Sequence, residues 1–191
     1  MRPALWLTLF GLVAAPAAAE PAFRQLFSER ASASSYLKNN WNRFSENYHP
    51  SYLLDGDPKT AWVEGAEGDG HGEHVSWRLS SLPRASEVKL RVRNGYQKSK
   101  PLFEANAAPK DIVIELLGPR GTVVRRAVTL ARKMGFQEVV LAVPAGAAVD
   151  GVRLTIQSTY PGRVYQDTCL SDVETWVRSD VAYNEDAEAA K

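Results

Sequence analysis

The sequence predicts an all-β chain, an antiparallel jelly-roll β-sandwich of about eight strands. Three observations carry that expectation. Short apolar runs recur with turn residues between them, several runs alternate with period two, and no long amphipathic helix fits between them. Strands with one buried and one wet face read this way, because successive side chains point to opposite sides of a sheet.

Taken in order, the runs are Ala31–Leu37, His74–Leu79, Ser86–Arg93, Asp111–Leu117, Thr122–Leu130, Phe136–Val143, Gly151–Thr159 and Cys169–Val177. Val88, Leu90 and Val92 alternate with Lys89, Arg91 and Arg93, and Val152, Leu154 and Ile156 with Arg153 and Thr155. Gly118-Pro119-Arg120-Gly121 supplies a proline and a glycine at turn positions between two runs. Residues 39–73 and 94–110 break the pattern as long polar loops, and such loops on a sandwich are uncommon unless they serve a function.

The first 19 residues read as a secretory leader: Arg2, an apolar stretch from Leu5 to Val13, then Ala17-Ala18-Ala19 as the small-residue cleavage site. The apolar stretch is shorter than the ~20 residues a spanning helix needs. Export to a periplasm or beyond the cell is therefore expected. A lead-in (20–30), one sandwich domain (31–178) and a polar tail (179–191) follow. The 23 basic and 22 acidic residues come into balance once Arg2 is lost, which argues against a general nucleic-acid binder. A single cysteine, Cys169, rules out an intrachain disulfide and reads as a small core residue.

The densest chemistry lies in Asp55-Gly56-Asp57-Pro58-Lys59-Thr60-Ala61-Trp62, where two carboxylates and a hydroxyl sit on a tight turn. Convergent oxygens of this kind suit a hard cation such as Ca2+, while Asx-type hydrogen bonds within the turn explain the same residues without one. Enzymatic constellations are weaker. His71-Gly72-Glu73-His74 lacks the spacing and helix of a zinc hydrolase, and the carboxylates from Glu64 to Glu73 read as a solvated loop rather than a glycosidase pair. No G-x-S-x-G elbow exists. A non-enzymatic protein is expected.

Tyr52–Trp62, with its DGxxxTxW pattern, then Gly72–Leu79, then Cys169–Trp176 together resemble the discoidin-like domains, the group containing coagulation factor V/VIII C domains and galactose-binding modules. GDGHGEHV, RNGYQKSKPLFEANAAPKDI and TYPGRVYQDTCLSDV, in that order, are similar to the glycan-binding, translocation-associated domain of streptococcal NAD glycohydrolase. The resemblance covers roughly Ala31 to Val177. It implies a binding module for a carbohydrate or other cell-envelope component, with a protein-interaction domain as the alternative. It also implies a structural Ca2+ held by Asp55, Asp57, Thr60 and Asp172 with the carbonyls of Tyr52 and Ser171; Asp172 stands where Glu is usual, one methylene shorter. Candidate aromatic platforms for a sugar are Trp62, Tyr96, Tyr160 and Tyr165, and candidate polar partners are Glu64, Glu73, Asn94, Lys98, Asn106 and Asp167. Trp62 and Trp77 read equally as core aromatics. Lys89, Arg91, Arg93, Lys98 and Lys100 read as a wet basic face, or as a contact for an acidic glycan or lipid.

Overall fold

A computed structural model describes residues 22–28, 30–38, 48–82 and 85–179. The expected leader and most of the polar tail lie outside the described residues. In chain order the strands are β1 (Arg24–Leu26), β2 (Ala31–Ala33), β3 (Trp62–Val63), β4 (His74–Leu82), β5 (Ala85–Asn94), β6 (Ala108–Pro109), β7 (Asp111–Gly118), β8 (Gly121–Thr129), β9 (Phe136–Ala142), β10 (Val149–Ile156), β11 (Thr159–Tyr160) and β12 (Cys169–Ser179). One sheet runs β1-β12-β5-β9, with β3 added beside the start of β12; the other runs β2-β4-β10-β7-β8; β6 and β11 form a small ribbon. All named pairings are antiparallel. Each of the eight expected runs overlaps an observed strand.

Alternation decides which face is buried. Val88, Leu90 and Val92 of β5 meet Ile112, Ile114 and Leu116 of β7 and Val152, Leu154 and Ile156 of β10 in one core between the sheets. Each such side chain removed from water contributes about 1.5–3 kcal/mol. Trp77 belongs to this core, and its indole N–H donates to Thr175 Oγ1 across the sandwich at 3.0 Å. Gly118 and Gly121 close the β7–β8 hairpin, where Gly121 adopts a positive φ of 116°.

The basic face is a paired ladder. Arg91 contacts Glu174 at 2.6 Å and Glu138 at 3.3 Å, Lys89 lies 3.8 Å from Glu138, and Arg93 lies 3.7 Å from Asp172. Arg91 and Arg93 also stack on Phe136, at 4.2 and 4.1 Å from the ring centre.

Several boundaries differ from expectation. The run at Ala31 keeps strand pairing only to Ala33, and the lead-in contributes β1. The long loop at 94–110 carries a short helix, α1 (Lys100–Ala105), started by Ser99 as N-cap with a proline in its first turn. Six residues are too few for an apolar period to register. A 3-10 helix, Pro50–Leu54, precedes the Asp55 turn. Among the described residues no helix is long and apolar enough to cross a membrane.

Candidate functional site

β5 ends at Asn94, β12 begins at Cys169, β4 begins at His74 and β10 ends at Ile156, so antiparallel pairing delivers both irregular segments to one end of the sandwich. Most of the expected binding residues meet there, but in two different roles.

One group is buried (Glu64, Asn94) or half-buried (Glu73, Asn106, Tyr160) and fixes the loops. Glu64 is fully buried; its Oε1 accepts from the Thr168 N–H at 3.0 Å and its Oε2 from the Ala66 N–H at 2.8 Å. Burial raises its pKa, opposed by those two N–H donors. Gly70, at φ +76°, packs so closely that a Cβ there would lie 2.7 Å from Glu64 Cγ. Asn94 is fully buried too, and its amide donates to the Pro109 carbonyl at 2.8 Å and the Ala131 carbonyl at 3.2 Å. Asn106 closes α1 through the Leu102 carbonyl at 2.9 Å, and the Tyr160 hydroxyl donates to the Leu130 carbonyl at 2.9 Å. Glu73 accepts from the hydroxyls of Ser34, at 2.6 Å, and Ser35, tying the β4 start to the edge strand.

Trp62, expected either as a platform or as a core aromatic, lies wholly in the core with its indole N–H donating to the Ser35 carbonyl at 3.0 Å. Trp62, Glu64 and Asn94 thus have no face for a ligand. For Trp62 the reason is register: β3 lies against the start of β12, Trp62 opposite Leu170 faces the core between the sheets, and Val63 opposite Cys169 packs on the other side in a small cluster with Ala61. Tyr96 is half-buried against Tyr48, with ring centres 6.4 Å apart, and burial first, then Tyr48, pushes its hydroxyl up to about 12.

The second group is available. Tyr165 is 51% exposed and Val164 68%. Asp167, two residues on from Tyr165, is half-exposed, and Lys98, in the turn that follows β5, is exposed. Residues that the sequence reading missed hold this rim in place. The Arg132 guanidinium reaches the carbonyls of Pro161, Phe103 at 3.4 Å, Glu104 at 3.3 Å and Asn106 at 3.2 Å. It thereby compensates the C-terminal carbonyls of α1, which have no partner within the helix. Gln97, 5% exposed, donates to the Asn94 carbonyl at 2.9 Å and accepts from the Gly135 N–H at 2.8 Å. Arg163 pairs with Glu104 at 2.8 Å. No local pattern marks Arg132, whose partners lie 26 to 29 positions away, or the bonds of Gln97 to Gly135, 38 positions away.

The Asp55 turn stands near the start of β12. Asp55 Oδ1 accepts from the Asp57 N–H at 2.9 Å, and Thr60 Oγ1 lies 2.8 Å from Asp55 Oδ2. Asp57 turns its carboxylate onto the Lys59 N–H at 2.9 Å. The Tyr52 N–H donates to the His49 carbonyl, and Ser171 Oγ accepts from the Gln97 N–H. Asp172 is 1% exposed, and its Oδ2 is buried without a hydrogen-bond partner. Burial pushes its carboxyl up to about 6, with Glu174 adding, Arg93 opposing and Asp55 adding. Asp55 and Asp172 line one cavity of about 150 Å3. Among the described residues no group of three or more His, Cys, Asp or Glu gathers as a metal cluster.

A family model described as NAD glycohydrolase translocation F5/8 type C domain matches residues 23–175. The chain belongs to this family. Its fold is that of F5/8 type C and family 32 domains among solved structures. The family 32 CBM of C. perfringens NanJ, solved in complex with galactose, is 14% identical, with TM-score 0.53 over 81% of this chain and 99% of that one. Chitosan-binding module 1 from the chitosanase/glucanase of Paenibacillus sp. IK-5 is 15% identical, with TM-score 0.51 over 79% and 96%. An F5/8 type C domain from Bacteroides fragilis is 13% identical, with TM-score 0.51 over 78% and 91%. The search of curated proteins returned no match. In this family member the loop end offers one exposed ring, a cation and a carboxylate on a locked frame, an arrangement suited to holding a polar ligand.

Proposed function

We propose that this chain is an exported, non-catalytic module that binds carbohydrate through the loops at one end of the sandwich. The observation that carries the reading is the immobilised rim: Arg132, Gln97, Glu64 and Asn94 pin the loops by buried hydrogen bonds, while Tyr165, Lys98 and Asp167 stay available. A ring face binds the C–H side of a sugar, and fixed polar groups read its hydroxyls. Preorganisation spares the ligand the cost of ordering the loop. Membership of an F5/8 type C family and similarity to a galactose-complexed module support the reading.

A Ca2+ ion would be held by Asp55, Asp57 and Asp172 with the carbonyls of Tyr52 and Ser171 and the Thr60 hydroxyl. Asp172 lines a cavity with Asp55, and its Oδ2, 3.7 Å from Arg93 and without a hydrogen-bond partner, fits such an ion. The ion would supply the positive charge that Arg93 supplies only in part, and would tie the Asp55 turn to β12. Asp55 and Asp57 would both give up bonds within their own turn to reach the ion, Asp55 those from the Asp57 N–H and Thr60, Asp57 that from the Lys59 N–H.

Glycan-array binding of the mature chain, followed by calorimetry on the best ligand with galactose as reference, tests the module. Binding that weakens about tenfold in Tyr165→Ala, on the scale of ~1–3 kcal/mol for a stacked ring, supports it. Retention of full affinity in that variant, or turnover of the glycan, defeats it.

A further inference from the structure

We propose a second saccharide site, on the outer face of the β2-β4-β10-β7-β8 sheet, that takes a uronate-bearing glycan. The site lies away from the loop end and goes beyond the reading above. It is an open groove of about 1090 Å3 lined by Phe27, Arg30, Ser32, Ser76, Arg78, Leu117 and Asp150, with the Gly118–Pro119 turn at its rim.

A glycine, Gly151, lies in the floor of the groove. Trp77 and Val152 face the core, so their neighbours Arg78 and Gly151 face outward. Register places Arg78, Gly151 and Leu117 side by side on three adjacent strands. The missing side chain in the middle leaves a notch between a guanidinium and an apolar wall. A Cβ on Gly151 would sit 3.2 Å from the Trp77 carbonyl oxygen and 3.6 Å from Leu117 Cβ, occupying its floor. One strand row further on, the Ser32 and Ser76 hydroxyls are held 3.1 Å apart as a fixed donor–acceptor pair. The edge is bounded by Phe27, 81% exposed.

The chemistry selects the ligand. Phe27, Leu117 and Pro119 offer surface for the C–H face of a pyranose, and two serine hydroxyls with the Asp150 carboxylate can read ring hydroxyls. Arg78, its side chain 89% exposed, lies 4.0 Å from Asp150, too far for a close bidentate pair. Its fork remains able to take a second carboxylate. Arg30 adds another exposed cation, so two guanidiniums stand against the one carboxylate, Asp150, that lines the groove. Cation excess beside an apolar floor with hydroxyl readers matches a sugar acid better than a neutral sugar. It also matches better than a peptide, which would need a continuous row of free backbone groups.

The test is a titration of the full chain with tri-galacturonate and, separately, with neutral galactotriose, followed by backbone-amide NMR at low ionic strength. Shifts at Ser32, Ser76, Arg78 and Gly151 with tri-galacturonate are expected, with weaker affinity for galactotriose. Arg78→Glu should weaken binding on the order of tenfold or more, and Phe27→Ser by about threefold. Both positions are exposed, so the fold should be retained, and rising salt should weaken binding. Tyr165→Ala should leave this affinity unchanged, which separates the groove from the loop-end site. Absence of those shifts, equal affinity for the neutral trisaccharide, or loss of binding in Tyr165→Ala but not Arg78→Glu would each overturn the proposal. So would an acidic peptide that shifts the same residues while tri-galacturonate shifts none.

Discussion

Removing the charge of Asp172 should stabilise the protein at neutral pH when no calcium is present. Asp172 sits on β12 with 1% of its surface exposed, one oxygen unpartnered, and a carboxyl pushed up to about 6 chiefly by burial. Its folded pKa lies above its unfolded value near 3.8. The folded state therefore holds the proton more tightly, and its stability contribution is complete below pH 4 and lost as pH rises through 6. About two pH units at 1.36 kcal/mol each gives a ceiling of about 3 kcal/mol. For a domain of this size that corresponds to about 6–12 °C in Tm. Asp172→Asn keeps the shape and cannot ionise. Arg93 retains its stacking on Phe136 in that variant. Thermal melts of both proteins in chelator from pH 3 to 8 should show a gap near zero at the acid end, opening in favour of Asn as pH rises. Calcium should reverse the order, raising the Tm of the parent by mass action (about 2.7 kcal/mol at one hundred times Kd) and leaving Asp172→Asn unmoved. A gap that stays flat across that pH range, or a parent more stable than Asp172→Asn in chelator at pH 8, would refute the reasoning.

Three further outcomes are expected. Trp77→Phe leaves the buried Thr175 hydroxyl without its indole partner and should cost about 1–3 kcal/mol in urea unfolding. Gly95→Ala places a Cβ 2.8 Å from the Phe103 ring at a φ of +75°, and should cost about 1–3 kcal/mol while speeding amide exchange throughout α1. Cys169 is fully buried, and burial drives its thiol pKa far upward, so Ellman's reagent should react with it only in denaturant.

Much of the sandwich could be read from residue order, because strand alternation is a local property. Val88, Leu90 and Val92 announce a buried face whichever strand they pair with. The discoidin-like motifs were legible for a similar reason: Asp55, Gly56 and Thr60 build one turn among themselves. Where the reading slipped, the missing information was distant in sequence. Trp62 is buried by pairing with Leu170, and Glu64 by accepting a hydrogen bond from Thr168, each more than one hundred positions away. Helix α1 was missed because a six-residue helix is specified by its Ser99 cap and its proline rather than by any period.

The sequence alone determined the two-sided strands, the turn chemistry at Asp55 and Gly121, and the family pattern, since each depends on residues within a few positions of one another. Tertiary structure decided which polar residues became internal supports and which remained free. It made Asn94 and Glu64 internal supports, turned the basic stripe on β5 into a paired ladder, and opened the notch at Gly151. Burial and charge pairing are set by what crosses over from the opposite strand or sheet, and no window of sequence contains both partners.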